Sequence, residues 1–260
     1  MAKDPLTRMY RELQEDLFPP RMELSFVRDG ERSTLVYEKV TWEIAGERKG
    51  LRYGENPDQS AAMYRLTNGN LVLGDVECIA PGNGLAVDVE LLQAGKHPGK
   101  INITDTDAAL GILKYLDDGP ACVIMKHNNP SGAARRASVL DSFTAAFNAD
   151  PVAAFGGVVA VNRPLDRATA EEIVDRYFEV VVAPELEEGA MEALARKKNL
   201  RVFRIRDMAG LETFQSRRLV EVSSLMDGGM IAQLSQVNRL RSAEDFIEPQ
   251  VEREGREYRM

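Results

Sequence analysis

Two cysteines and two histidines in 260 residues are too few to assemble a zinc site of any familiar spacing. No zinc-site motif can therefore be assembled from them. Nor do the cysteines point to a disulfide framework. Cys122 sits inside an apolar segment, where a buried reduced thiol is the natural reading, and Cys78 lies in a polar region. No apolar run approaches the roughly 18 residues of a membrane span. Met-Ala-Lys-Asp-Pro at the start lacks the apolar stretch of a signal peptide, so a cytoplasmic protein without membrane contact is expected. An excess of positive charge is missing too: 33 Lys and Arg stand against 41 Asp and Glu, a net charge of −8. That balance argues against duplex nucleic acid, which needs a basic face, as the main partner. It does not argue against small anions, because a few Arg or Lys side chains with oriented backbone N–H groups can hold a phosphate. Repeats and low-complexity tracts are absent.

What is present is an alternation of strands and helices. Residues 1–49 read as an added element: an amphipathic helix over Pro5 to Asp16, then a hairpin of Met22 to Arg28 and Thr34 to Ile44 around an Asp29-Gly30 turn. Gly50 to Gln59 is a loop. Gly95 to Gly99 is another, and its His97 reads as a solvated side chain without a role. Thr104 or Asp105 can cap a helix carrying Ala109, Ile112, Leu113 and Leu116 on one face, ended by Asp117-Asp118-Gly119-Pro120. Ala121 to Met125 is a continuous apolar strand of the kind buried on both faces. A helix capped by Ser138 follows, then a strand over Gly157 to Val161, and a helix marked by Ala170, Ile173, Val174 and Tyr177. Next come a strand over Val180 to Ala183, a helix over Glu187 to Lys198, and a strand over Leu200 to Ile205. Leu219 to Ser223 and Met230 to Leu234 are two further strand candidates. The tail, residues 236–260, is highly charged and aperiodic. Crossovers of this length imply an α/β fold with a mainly parallel sheet and helices on both faces, here over residues 50–235.

Chemistry is expected at three places. Lys126-His127-Asn128-Asn129-Pro130-Ser131-Gly132 puts two titratable side chains directly after the apolar strand, where open α/β sheets hold their ligands. A histidine there is a candidate acid or base near neutral pH. Neighbouring residues on a continuing strand face opposite ways, so both can serve one substrate only if the strand ends at this point. The second place is the loop Leu51-Arg52-Tyr53-Gly54-Glu55-Asn56-Pro57, rich in ligand-binding side chains but equally readable as a surface turn. The third is Ala154-Phe155-Gly156-Gly157, whose glycines allow close backbone approach or serve packing alone.

These stretches, together with Ile101-Asn102-Ile103-Thr104-Asp105-Thr106-Asp107-Ala108-Ala109-Leu110 and Ala183-Pro184, resemble in the same order the transformylase part of the AICAR transformylase/IMP cyclohydrolase family. The likeness covers roughly residues 50–235. It implies a cytidine-deaminase-like three-layer α/β/α domain without the deaminase zinc, with residues 1–49 as a helix and hairpin extension. It also implies formyl transfer from 10-formyltetrahydrofolate to the 5-amino group of AICAR ribonucleotide, with no metal. Carried over motif by motif, His127 is the implied base and Lys126 the oxyanion or leaving-group partner. Arg52, Tyr53, Gly54, Asn102, Asn129, Gly156 and Glu179 are the implied substrate contacts. The family's cyclohydrolase domain and second transformylase subdomain, with most folate contacts, have no counterpart here. The resemblance therefore implies half of a formyltransferase, completed as a homodimer or by a second transformylase half. The alternative is a non-catalytic AICAR-binding or scaffold subunit, and a deaminase fails on the absent ligands.

Overall fold

A computed structural model describes residues 16–74, 76–81 and 84–237, and the backbone of 250–253 and 256–259. The expected helix over Pro5 to Asp16 lies outside the described residues except for Asp16, and so does most of the charged tail. The hairpin follows its turn signal. β1 (Arg21–Arg28) and β2 (Glu31–Lys39) pair antiparallel, and Asp29 and Gly30 both take positive φ between them. β2 stops at Lys39 rather than running on to Ile44, because Trp42–Ile44 (β3) leaves to pair with Glu47–Lys49 (β4). β2 also pairs with β5 (Tyr64–Asn68). Leu71–Leu73 (β6) and Val76–Ile79 (β7) form a small hairpin.

The organising unit is a six-stranded sheet ordered β10-β9-β11-β12-β13-β8. Its strands are β8 (Glu90–Gln93), β9 (Ala121–Met125), β10 (Pro130–Arg135), β11 (Val158–Val161), β12 (Val180–Ala183) and β13 (Arg201–Arg204). Only β11–β12 and β12–β13 pair parallel; β10–β9, β9–β11 and β13–β8 are antiparallel. The expectation of a mainly parallel sheet is thus corrected to a mixed one. Strand periodicity carries no information on direction, and a hairpin, β9–β10, joins one edge of the sheet.

Every residue of β9 is at most 1% exposed, and they alternate between two cores. Cys122 and Ile124 face the core containing Phe143, Ile173 and Leu194; Ala121, Val123 and Met125 face the one containing Leu110, Leu113 and Phe203. Helices cover both faces, as a strand buried on both sides requires. α1 (Lys100–Leu113) lies on the second face. α2 (Val139–Ala149), α3 (Arg167–Val174) and α4 (Ala190–Leu194) lie on the first.

The helix starts show which signals are local. Ser138 caps α2 by accepting from Asp141 N at 3.0 Å, and Asp166 caps α3 by accepting from Thr169 N at 2.7 Å. α1 starts at Lys100, four residues before Thr104. Its N-terminus is satisfied from inside, Asn102 Oδ1 accepting from Gly99 N at 3.0 Å, the reciprocal half of a capping box. α3 ends at Val174, so Tyr177 lies beyond it and is half-exposed. α4 is shorter than the expected Glu187 to Lys198. After Leu194 the chain leaves through tight turns, Lys197 N to Leu194 O and Leu200 N to Lys197 O, that bring Leu200 into the core. β14 (Val220–Ser224) and β15 (Met230–Leu234) form one two-stranded sheet, and β16 (Gln250–Arg253) and β17 (Arg256–Arg259) form another. Among the described residues no helix is long and apolar enough to cross a membrane.

Candidate functional site

Strand direction decides what meets what. β9 runs antiparallel to β11, which is parallel to β12 and β13, with Met125 opposite Val158. The carboxyl end of β9 therefore shares one sheet edge with the amino ends of the other three. An arrangement at the carboxyl ends of parallel strands was the expectation; here the two strands that present that end, β9 and β8, are the ones antiparallel to β11–β13. The segments gathered there are 94–97, 126–129, 154–157, 177–179 and 199–201.

β9 ends at Met125, which frees Lys126 and His127 from strict alternation. The turn is 126–129, closed by Lys126 N donating to Asn129 O at 2.9 Å, with Asn128 at φ +55°. Pro130-Ser131-Gly132, read as the turn, instead opens β10. Lys126 Nζ donates to Phe155 O and lies 5.7 Å from the Phe155 ring centre, so it leans towards the glycine loop. His127 leans towards α1. Its Nδ1 is 3.7 Å from Asp105 Oδ2, while Asp105 Oδ1 accepts from Asn128 N at 2.6 Å. Burial raises the Asp105 carboxyl above its usual range, opposed by the Asn128 N–H and by His127. Asn129 is exposed and its Nδ2 donates to His127 O at 3.1 Å, bracing the turn itself.

Gly156 has φ +75°, which favours glycine, and donates its N–H to Tyr177 O at 2.8 Å. The Phe155 and Tyr177 rings lie 4.9 Å apart and are both more than half exposed, forming an aromatic shoulder beside the Lys126 ammonium.

Beyond that shoulder opens a cleft of about 550 Å³. Arg52, Lys96, Arg176, Arg196, Lys197, Lys198 and Arg201 line it against a single carboxylate, Glu179. The chain is acidic overall, yet here cations dominate. Arg176 is committed to Glu172 at 2.7 Å. Arg52 and Arg201 are each only 8% exposed. The Arg52 backbone is fixed by its N–H to Pro98 O at 2.8 Å, and its guanidinium carbon lies 5.2 Å from the Tyr53 ring centre. Arg201 has two long contacts, Glu179 Oε2 at 3.9 Å and His97 O at 3.4 Å, and its buried Nε has no partner. Burial pulls its guanidinium below the usual value, and Arg52 pushes the same way.

Of the residues singled out in the sequence, Arg52, Tyr53 and Glu179 line the cleft. Asn102 is buried and reaches them through Nδ2 to Glu179 Oε2 at 3.1 Å. Gly54 is buried behind them, its N–H on Gln59 O at 2.8 Å. Lys126, His127, Asn129 and Gly156 form a second cluster, joined to the cleft through the Gly156–Tyr177 bond.

Sequence reasoning missed Arg201 and Asp105. An arginine opening a strand whose first three residues are all buried is what marks the first, and that burial is visible only in the fold. Asp105 was read as a helix cap, and its packing against the turn is a contact over 23 residues of chain. His97 is corrected outright: it is 4% exposed, with its Nε2 unpartnered, because the Trp42 and Glu47 segments pack over the loop. Among the described residues no group of His, Cys, Asp and Glu side chains is arranged to hold a metal.

A family model described as the AICARFT/IMPCHase bienzyme matches residues 24–254. Curated relatives carry the name bifunctional purine biosynthesis protein PurH. The one from Caldicellulosiruptor saccharolyticus is 37% identical over 183 residues, 70% of this chain and 32% of its own length. That from Roseobacter denitrificans is 46% identical over 154 residues, 58% and 26% respectively. That from Xanthomonas euvesicatoria is 42% identical over 170 residues, 65% and 30%. The chain thus spans between a quarter and a third of the length of these relatives.

Proposed function

Because the chain belongs to the AICARFT/IMPCHase bienzyme family, we propose that it supplies one wall of a formyltransferase site in purine biosynthesis. The reaction is transfer of formyl from 10-formyltetrahydrofolate to AICAR ribonucleotide. The observation that carries this reading is the joining of a cation-lined cleft to a Lys-His turn through Glu179, Asn102 and the Tyr177–Gly156 bond.

In this reading the nucleotide phosphate enters the cleft. Arg52 suits it, since a planar guanidinium can bind two phosphate oxygens at once, and Arg201 supports it from beneath with an unpartnered Nε. Tyr53, Gly54, Asn102, Asn129, Gly156 and Glu179 shape and hold the substrate. The 5-amino nitrogen attacks the formyl carbon and a C–N bond forms. His127 takes the proton the amine loses, a role worth roughly 10²–10⁴-fold in rate. Lys126 stabilises the oxyanion, and the bond from formyl carbon to the folate nitrogen then breaks as the Lys126 ammonium gives that nitrogen a proton, the proton held by His127 restoring the balance. Lys126 already donates to one carbonyl oxygen, that of Phe155, and an ammonium has three donors, which leaves it N–H groups for an oxyanion.

The finer assignments belong to the same reading. The cytidine-deaminase-like form of the α/β fold is supported by the mixed sheet with helices on both faces. The divisions 1–49, 50–235 and 236–260 are kept, with β2–β5 pairing joining the extension to the body. A cytoplasmic location is supported by the buried free thiol of Cys122. Completion comes from a second copy or from the remainder of a longer transformylase. The test is a formyl-transfer assay on the chain alone and combined with the rest of a family member's transformylase part. Activity that is lost in His127→Ala supports the proposal; no activity in either format, or full activity in the variant, refutes it. AICAR binding without folate binding or turnover would identify a binding subunit instead.

A further inference from the structure

We propose that Asp105 is the positioning residue for His127, a buried carboxylate that selects the Nδ1–H tautomer and so leaves Nε2 to take the proton. The inference rests on the reading of His127 as the base.

Three observations carry it. Asp105 is a helix residue with its side chain 4% exposed, yet it is not a helix cap; α1 begins five residues earlier. Its two oxygens are turned to the same four-residue turn. Oδ1 accepts from Asn128 N at 2.6 Å, and Oδ2 stands 3.7 Å from His127 Nδ1. Finally, Asn128 is held left-handed, at φ +55°, by that first bond. A carboxylate that merely tied down the turn would need only one oxygen there. The second aims at the imidazole nitrogen that must carry a proton if the other is to be a base.

The gap of 3.7 Å is longer than a hydrogen bond by roughly 0.8 Å. The His127 side chain is 65% exposed, so the ring is free to close it, and catalytic hydrogen bonds of this kind tighten when substrate arrives. Other charged groups act on Asp105 as well: Lys126 from the turn favours its ionised form and Glu179, at the start of β12, opposes it. With Lys126 adjacent, the carboxylate also offsets the positive charge that builds up when His127 is protonated.

Asp105→Asn is the informative change because the amide can keep the Asn128 bond with its oxygen. Its NH₂ would then face His127 Nδ1, make that nitrogen an acceptor, and put the hydrogen on Nε2, where it blocks proton uptake. The chain has only two histidines, so ¹⁵N NMR with His127→Gln for assignment reads the tautomer directly. Wild-type chain should show Nδ1–H at His127 and Asp105→Asn should show Nε2–H. In an active preparation the same variant should lower kcat by about 100-fold or more with KM for AICAR changed less than about threefold. A wild-type imidazole that already prefers Nε2–H, as free imidazole side chains do in water, overturns the proposal. That readout needs no variant and stands even if Asp105→Asn fails to fold. If His127→Ala retains full formyl transfer while the tautomer is as stated, the assignment of the base fails and the Asp105–His127 pairing survives.

Discussion

Arg201→Met should leave the protein as stable as before, or more stable, while removing much of its affinity for anions. The guanidinium is 8% exposed, and moving such an ion out of water costs several kcal/mol. The return is small. Its ion pair with Glu179 is 3.9 Å long and the carboxylate is 44% exposed, a geometry worth about 1 kcal/mol at most. The bond to His97 O is 3.4 Å, and Nε has no partner. Glu179 left behind is not stranded, because Asn102 still donates to it and solvent reaches it. Methionine fills similar space without a charge to desolvate. Replacing poorly repaid buried ions by apolar residues is neutral to stabilising by about 1–4 kcal/mol. At roughly 2–4 °C per kcal/mol for a domain of this size, the melting temperature should hold or rise by several degrees. Binding moves the other way. A hydrogen bond from a charged donor contributes about 1.5–3 kcal/mol, so affinity for AICAR ribonucleotide should fall about 10- to 150-fold. Scanning calorimetry of the unliganded protein and titration calorimetry with the nucleotide read the two effects separately. A loss of 3 kcal/mol or more in stability with unchanged affinity would refute the reasoning, since that is the signature of a well-paired structural ion.

Acid should destabilise the fold through His97. Burial depresses its native pKa below 6.5, so the unfolded chain takes up the proton first. Stability is therefore full above about pH 6.5 and falls by about 1.4 kcal/mol per unit as pH drops from there towards the native value. Urea unfolding across that window should be steeper in wild type than in His97→Gln; equal slopes would place the sensitivity elsewhere. Cys122, its thiol pushed far up by complete burial, should resist alkylation in the folded protein and react on unfolding, as peptide mapping by mass spectrometry would show. Modification of the native thiol at the rate of a free cysteine would contradict its burial. Gly132→Ala should be among the most damaging small substitutions. The new methyl would overlap the backbone carbonyl of Ala146 in α2, which cannot swing away as a side chain can, and overpacking of this kind costs about 1–3 kcal/mol or more. Chemical denaturation of the variant measures it, and a change under about 0.5 kcal/mol would show that the helix simply shifts.

Much of this protein was legible because its signals are local. Ser138 and Asp166 act on N–H groups three residues away, Asp29-Gly30 closes its own hairpin, and the short apolar run 121–125 fits a strand with both faces covered. Arg52, Lys126 and His127 stood out by their motifs as candidates. The tertiary structure alone decided which way the strands run, because β11 pairs with β9 across a long connection and nothing in either strand encodes that direction. That choice puts the carboxyl end of β9 at the same end of the sheet as the amino ends of β11, β12 and β13. It also decided which polar groups are buried. His97, Asp105 and Arg201 are unremarkable in the sequence, and their surroundings are sums over residues distant in the chain. Local chemistry therefore named β9, β11, β12 and β13 and the Ser138 cap, but not β8, β10 or the start of α1, whereas long-range packing chose the carboxylate behind His127 and the arginine beneath the cleft.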